Sequence, residues 1–135
     1  MPVTINGGAG VTFPDGVQQT NGVTNTGGSP PYYGARAWVN FKGTSPVSIR
    51  ASANVASVSR NSAGDYTITF STNMPDANYA VAGAARRGTA TTRGMAFEVA
   101  PTVALTVSAV RVRTVSVDTS PAPDDCEDVY VVVFR

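Results

Sequence analysis

The sequence predicts an all-β fold, an antiparallel β-sandwich knob behind an extended Gly/Pro-rich N-terminal arm. Three observations carry this. From Arg36 onward apolar residues recur at every second position in short runs. Clusters of Gly, Pro, Asn and Asp break those runs at short intervals. No window shows the 3.6-residue apolar period of an amphipathic helix. The chain of 135 residues suits one domain plus an arm, divided here as residues 1–35 and residues 36–135.

The arm holds Gly7, Gly8, Gly10, Gly16, Gly22, Gly27, Gly28, Pro30, Pro31 and Gly34. Within it Val3 and Ile5 flank Thr4 as in a short strand, and Val11 and Phe13 are further apolar anchors. Phe13-Pro14-Asp15-Gly16-Val17 reads as a turn, because Pro presets φ and Asp-Gly reverses the chain tightly. Residues 18–31 read as a polar linker. A segment of this composition needs a partner surface to order it, so the arm is the predicted attachment element.

In the knob, Ala37, Val39 and Phe41 alternate with Trp38 and Asn40. Lys42-Gly43-Thr44-Ser45-Pro46 is a predicted turn, and Val47 and Ile49 open a second strand. Val55 and Val58 fall out of strict period, which suggests a bulge. Asn61-Ser62-Ala63-Gly64-Asp65 has hairpin-turn chemistry, and Tyr66, Ile68 and Phe70 then alternate cleanly. Asn73-Met74-Pro75-Asp76-Ala77 is a turn before Tyr79, Val81, Gly83 and Ala85. Residues 86–94 read as a polar loop. Val103, Leu105 and Val107 alternate, as do Val110 and Val112, and both groups read as strand. Ser120-Pro121-Ala122-Pro123-Asp124-Asp125 is a loop. The last run, Val129 to Phe134, is apolar on both faces, which fits a central or an interface strand. About eight short strands separated by turns fit a sandwich.

Composition narrows the function. Charged residues make up 14% of the chain, well below the ~25% of average soluble domains. Net charge is +1, so nothing pulls the chain towards nucleic acid or anionic membrane. Nine of the ten cations are Arg, the cation better suited to interfaces. No apolar run approaches the ~18 residues of a membrane helix, and the N-terminus lacks the basic and apolar regions of a signal peptide. These features predict a protein made in a cytoplasm, without membrane insertion.

Catalysis is not expected. The chain has no His, so a Ser or Cys nucleophile lacks its usual base. Glu98, Asp118 and the carboxylates of 124–128 could serve glycoside cleavage, but no spacing pairs them. No cofactor or metal is predicted, since the acidic run lacks Gly-centred calcium-loop spacing.

Two sequence phrases carry a family resemblance. Ala37-Trp38-Val39-Asn40-Phe41-Lys42-Gly43 with Val47-Ser48-Ile49-Arg50-Ala51-Ser52 is one. Gly64-Asp65-Tyr66-Thr67-Ile68-Thr69-Phe70 with Met74-Pro75-Asp76-Ala77-Asn78-Tyr79 is the other. Together they resemble a module of bacteriophage tail fibres and related virion proteins, including those of phages that infect cyanobacteria. Val11-Thr12-Phe13-Pro14-Asp15-Gly16-Val17-Gln18-Gln19-Thr20 is similar to a phrase found ahead of fibre tips. The resemblance covers roughly residues 11–20 and 36–83. It implies a virion surface protein, commonly homotrimeric, that binds other tail or baseplate proteins and host cell-surface polysaccharide. Family members often carry a long shaft that this chain lacks, which leaves a capsid decoration protein as the alternative and a polysaccharide depolymerase as a third class.

Several residues become candidates on this view. Arg86, Arg87, Thr91, Thr92 and Arg93 could meet host glycans from the polar loop, through Arg forks on carboxylates or phosphates; an ordinary solvated loop is the other reading. Trp38, Tyr130, Val132 and Phe134 lie on the second faces of their strands and are subunit-interface candidates. Tyr32 and Tyr33 could stack on sugars or pack at the neck. Val3, Ile5, Val11 and Phe13 belong to attachment. Cys126, alone in Asp124-Asp125-Cys126-Glu127-Asp128, is either a free thiol at a strand edge or one half of an intermolecular disulfide.

Overall fold

The computed structural model describes residues 4–6, 10–12, 18–19, 34–88 and 94–135. It divides into two units, residues 1–34 and residues 35–135. The first contains β1 (Thr4–Asn6), β2 (Gly10–Thr12) and β3 (Gln18–Gln19), joined as an antiparallel sheet in the order β1-β2-β3. Ile5 pairs with Val11, and Val11 with Gln19. Gln18 and Gln19, read from sequence as the start of a linker, are thus in a ladder instead. Val3, Phe13, Tyr32 and Tyr33 and the turn at 13–17 lie outside the described residues.

The second unit is all-β. Its strands are β4 (Ala35–Lys42), β5 (Ser48–Ala53), β6 (Val55–Ser62), β7 (Asp65–Phe70), β8 (Ala80–Arg86), β9 (Gly94–Val99), β10 (Ala109–Val117) and β11 (Asp128–Phe134). They form two four-stranded antiparallel sheets. Sheet I has the order β5-β4-β11-β8 and sheet II the order β6-β7-β10-β9. No helix occurs among the described residues.

One core draws on both sheets. Ala37, Val39 and Phe41 of β4 and Val129, Val131 and Val133 of β11 join Tyr66, Ile68 and Phe70 of β7 and Val110 and Val112 of β10. Alternation makes this possible, because every second side chain of a strand shares a face. β-branched Val and Ile suit that pleated surface. Each fully buried side chain of this size stabilises the fold by about 1.5–3 kcal/mol. Between the sheets the Phe41 and Tyr66 rings meet edge to face at 5.1 Å.

The connections follow local chemistry. Asn54 carries the chain from β5 to β6 with φ of 55°. Its amide holds this left-handed corner by donating to the carbonyls of Arg36 and Thr72, both at 3.0 Å, and accepting from Thr72 N at 2.7 Å. The predicted bulge lies in β6, where register shifts between Val55 and Ser57. The β6–β7 hairpin turns at Ala63-Gly64. β11, apolar on both faces, is a central strand between β4 and β8.

Two strand readings need correction. Val103, Leu105 and Val107 are not in a strand; residues 100–108 form the connection between β9 and β10. Their backbone groups serve other partners. Val107 O accepts from Met74 N at 2.8 Å, Ser108 O accepts from Phe70 N at 2.9 Å, and the Thr106 hydroxyl bonds Ala109 O at 2.9 Å. Leu105 packs against the core from this loop. Conversely, β9 begins at Gly94, at the end of the predicted polar loop, and pairs with β10 from Gly94↔Val117 to Val99↔Val112.

Candidate functional site

The outward faces of the two sheets differ in chemistry. Sheet II presents Ser57, Ser59, Thr67, Thr69, Arg111, Arg113 and Glu98, matched across the ladder by register. Its charges are paired. Arg111 donates twice to Asp65, both at 2.7 Å, and Arg113 lies 3.3 Å from Glu98. The Arg111 guanidinium holds the Asp65 carboxyl below the usual range, outweighing the burial that opposes it.

Sheet I presents the opposite. Trp38 and Tyr130 are each 41% exposed and Phe134 37%. Val132 pairs with Trp38 on β4 and with Ala82 on β8. Ala80 and Ala84 stand opposite Phe134 and Tyr130, and Ala51 and Ala53 opposite Asn40 and Trp38. Small side chains on both flanks leave the aromatic rings standing proud over a shallow apolar trough. The four residues singled out as interface candidates therefore lie together on one face. Asn40, beside Tyr130, is the polar point among them, and its Oδ1 is shielded from solvent with no hydrogen-bond partner among the described residues.

A second cluster lies at the end of the unit opposite Ala35. Gly43, the Ala63-Gly64 turn, the end of β8, the start of β9 and the acidic segment 124–128 meet there. The segment collects arginines from three strands and from the residue after β8. Arg50 of β5 binds Glu127 at 3.0 Å and also Asp128. Arg86 of β8 binds Asp128, and Arg87 binds Asp124. Arg60 of β6 donates to both oxygens of Asp125, at 3.0 and 2.9 Å.

Asp125 also accepts from Gly64 N at 2.8 Å and from the Tyr66 hydroxyl at 3.0 Å. Burial works to raise its pKa, but Arg60, Gly64 and Tyr66 together hold the carboxyl below its usual value. Burial, and then the Asp125 carboxylate, hold the Tyr66 phenol far above its ordinary value. The backbone completes the seam, with Gly43 N donating to Cys126 O at 2.9 Å and Asp124 N to Thr114 O at 3.0 Å.

These contacts locate the remaining candidates. Arg86 and Arg87 stand at this end, and both are engaged with the acidic segment. Arg87 is mostly covered, and its Nη1 has no hydrogen-bond partner among the described residues. Thr91, Thr92 and Arg93 lie outside the described residues. Cys126 has no exposed surface and belongs to the core. A sulfur with zero exposure reaches another chain only if the segment around it opens. Burial pushes its thiol pKa up, with Asp124 and Asp125 adding to the rise, so it is also a poor nucleophile. Among the described residues no group of three or more His, Cys, Asp or Glu is placed to hold a metal ion.

Sequence reasoning missed two things. It treated the carboxylates of 124–128 and the arginines as separate features, although matched numbers of each hinted at pairing. It also passed over Asn40, which shares the second face of β4 with Arg36, Trp38 and Lys42. Compared with known proteins, the chain matches no family model, no curated protein and no solved structure.

Proposed function

We propose that this chain is a bacteriophage tail-fibre protein, which assembles and adheres rather than catalyses. Residues 1–35 attach it to tail or baseplate proteins, and residues 36–135 form a β-sandwich knob. Copies associate, as a homotrimer, through the outward face of sheet I. The opposite end of the knob from Ala35 meets host cell-surface polysaccharide. The protein is made in the host cytoplasm and sits on the virion tail.

The observation that carries the reading is the contrast between the two outward faces. Exposed Trp38, Tyr130 and Phe134 share one sheet face with five alanines, with Arg36, Lys42 and Asp128 towards its ends, while the other sheet carries hydroxyls and paired charges beside one exposed apolar residue, Val117. Interfaces concentrate Trp and Tyr at an apolar centre and are poor in charge. Many weak host contacts on one particle then sum to firm capture, so each site can be weak.

Gold-labelled antibody against the chain, applied to intact particles, is the test. Label at the tail supports the fibre reading. Label on the head indicates the decoration alternative, and particles without label contradict both.

A further inference from the structure

We propose that residues 118–127 are an acid-released strap, which lifts off the end of the sandwich as its carboxylates are protonated while the two sheets stay folded. The device works whatever the knob attaches to. The strap crosses from β10 of sheet II to β11 of sheet I and closes that end of the core. Its contacts are mostly polar. Residues 119–123 are exposed, Asp118, Asp124, Asp125 and Glu127 are half-buried, and Cys126 alone is buried. Cys126 is a small apolar anchor. Pro121 and Pro123 have no N–H to give, so the backbone holds the strap at few points. Asp124 N donates to Thr114 O at 3.0 Å, while Ala122 O and Cys126 O accept from Ser116 N and Gly43 N, both at 2.9 Å.

Charge supplies the rest. Arg60 of β6, Gly64 N and the Tyr66 hydroxyl of β7 hold Asp125. Arg87, just after β8, holds Asp124. Arg50 of β5 and the Thr44 hydroxyl hold Glu127. Where the strap enters β11, Asp128 lies between Arg50 and Arg86. The other charges of sheet II, Asp65 with Arg111 and Glu98 with Arg113, pair with each other. The chain has no His, so from neutral pH down to about pH 3 the side chains that titrate are carboxylates. Burial opposes it, but its three partners hold the Asp125 carboxyl below the usual range. Its grip is therefore complete above the ordinary aspartate range and is lost as pH falls through the lower folded value. The sheets are joined mainly by backbone ladders and an apolar core, neither of which titrates. A segment with few buried apolar contacts opens at lower cost than the whole fold. Opening uncovers the Cys126 thiol. It also leaves Arg50, Arg60, Arg86 and Arg87 without anionic partners, so the end changes from charge-paired to cationic.

Reaction of Cys126, the single cysteine, with a dithiodipyridine reports opening in the full chain, with far-UV circular dichroism read at each pH. Each rate is divided by that of the denaturant-unfolded chain at the same pH, which removes the effect of pH on the thiol itself. From neutral pH to about pH 3 this relative rate is expected to rise at least about tenfold while the sheet signal keeps its native value. Arg60→Gln takes a partner from Asp125 without touching the core and is expected to raise the relative rate at neutral pH. Arg135→Gln breaks a pair with Asp76 away from the strap and should leave it unchanged. The proposal is overturned if the relative rate rises only where the sheet signal is lost, if it keeps its neutral value throughout, or if Arg60→Gln reacts no faster than Arg135→Gln.

Discussion

Asp125 accepts from a guanidinium, a backbone amide and a phenol, and all three donors belong to the β6–β7 hairpin. Asp65 is held in the same way by Arg111 and Asn61. Both carboxyls titrate below their unfolded values. Their stabilisation is therefore complete above the ordinary aspartate range and is lost as pH falls through the lower folded values. The thermal midpoint is expected to stay level from about pH 8 to pH 5 and to drop below about pH 4. Asp65→Asn should flatten that drop and lower the plateau, as thermal melts across pH will show. Cys126 gives a complementary prediction. In the native protein a thiol reagent should react with it far more slowly than with the unfolded chain, and Asp125→Ala should speed the reaction by loosening the segment above it. A native rate equal to the unfolded rate would remove the buried placement.

At the scale of elements, the tight β6–β7 turn depends on Gly64. It has φ of 62°, and a Cβ there would come within 2.4 Å of Asp124 N and 2.5 Å of Thr114 O. Gly64→Ala is expected to cost about 2–4 kcal/mol, read by denaturant unfolding, since neither backbone neighbour can yield cheaply. This turn was legible in the sequence because Asn61-Ser62-Ala63-Gly64-Asp65 announces it locally. β4, β7 and β11 were legible for a related reason. Each has one face in the core, so Val39 and Phe41, or Tyr66 and Ile68, stand out by alternation. β9 carries the same signal, Met95, Phe97 and Val99 alternating with Gly94, Ala96 and Glu98 and packing against the core, but its start at Gly94 abuts a Thr- and Arg-rich stretch and it was passed over. Val103, Leu105 and Val107 misled in the opposite sense. They alternate, but Val107 O is bonded by Met74 N and Val103 N turns back to Ala100 O, so none of the three joins a ladder. The outward placement of Trp38 and Tyr130 was legible because they fall between the core-facing positions of their strands. The arginine–carboxylate seam was illegible, since it joins residues up to 78 positions apart.

For the whole molecule, the two sheets divide the work between them. The hydroxyl-bearing face of sheet II can remain in water, whereas the aromatic face of sheet I gains from being covered. Trp38→Glu places a charge at the centre of that face without touching the core. It is expected to leave the fold and melting of the monomer nearly unchanged while abolishing association, as size-exclusion chromatography with light scattering will report. Trp38 is the chain's single tryptophan, so its fluorescence reads this surface directly. The most direct measurement is acrylamide quenching of Trp38 alongside the solution mass of the full chain. An oligomeric mass with Trp38 quenched several-fold less than in the unfolded chain is the predicted result. A monomeric mass with Trp38 quenched nearly as readily as free tryptophan would contradict the account.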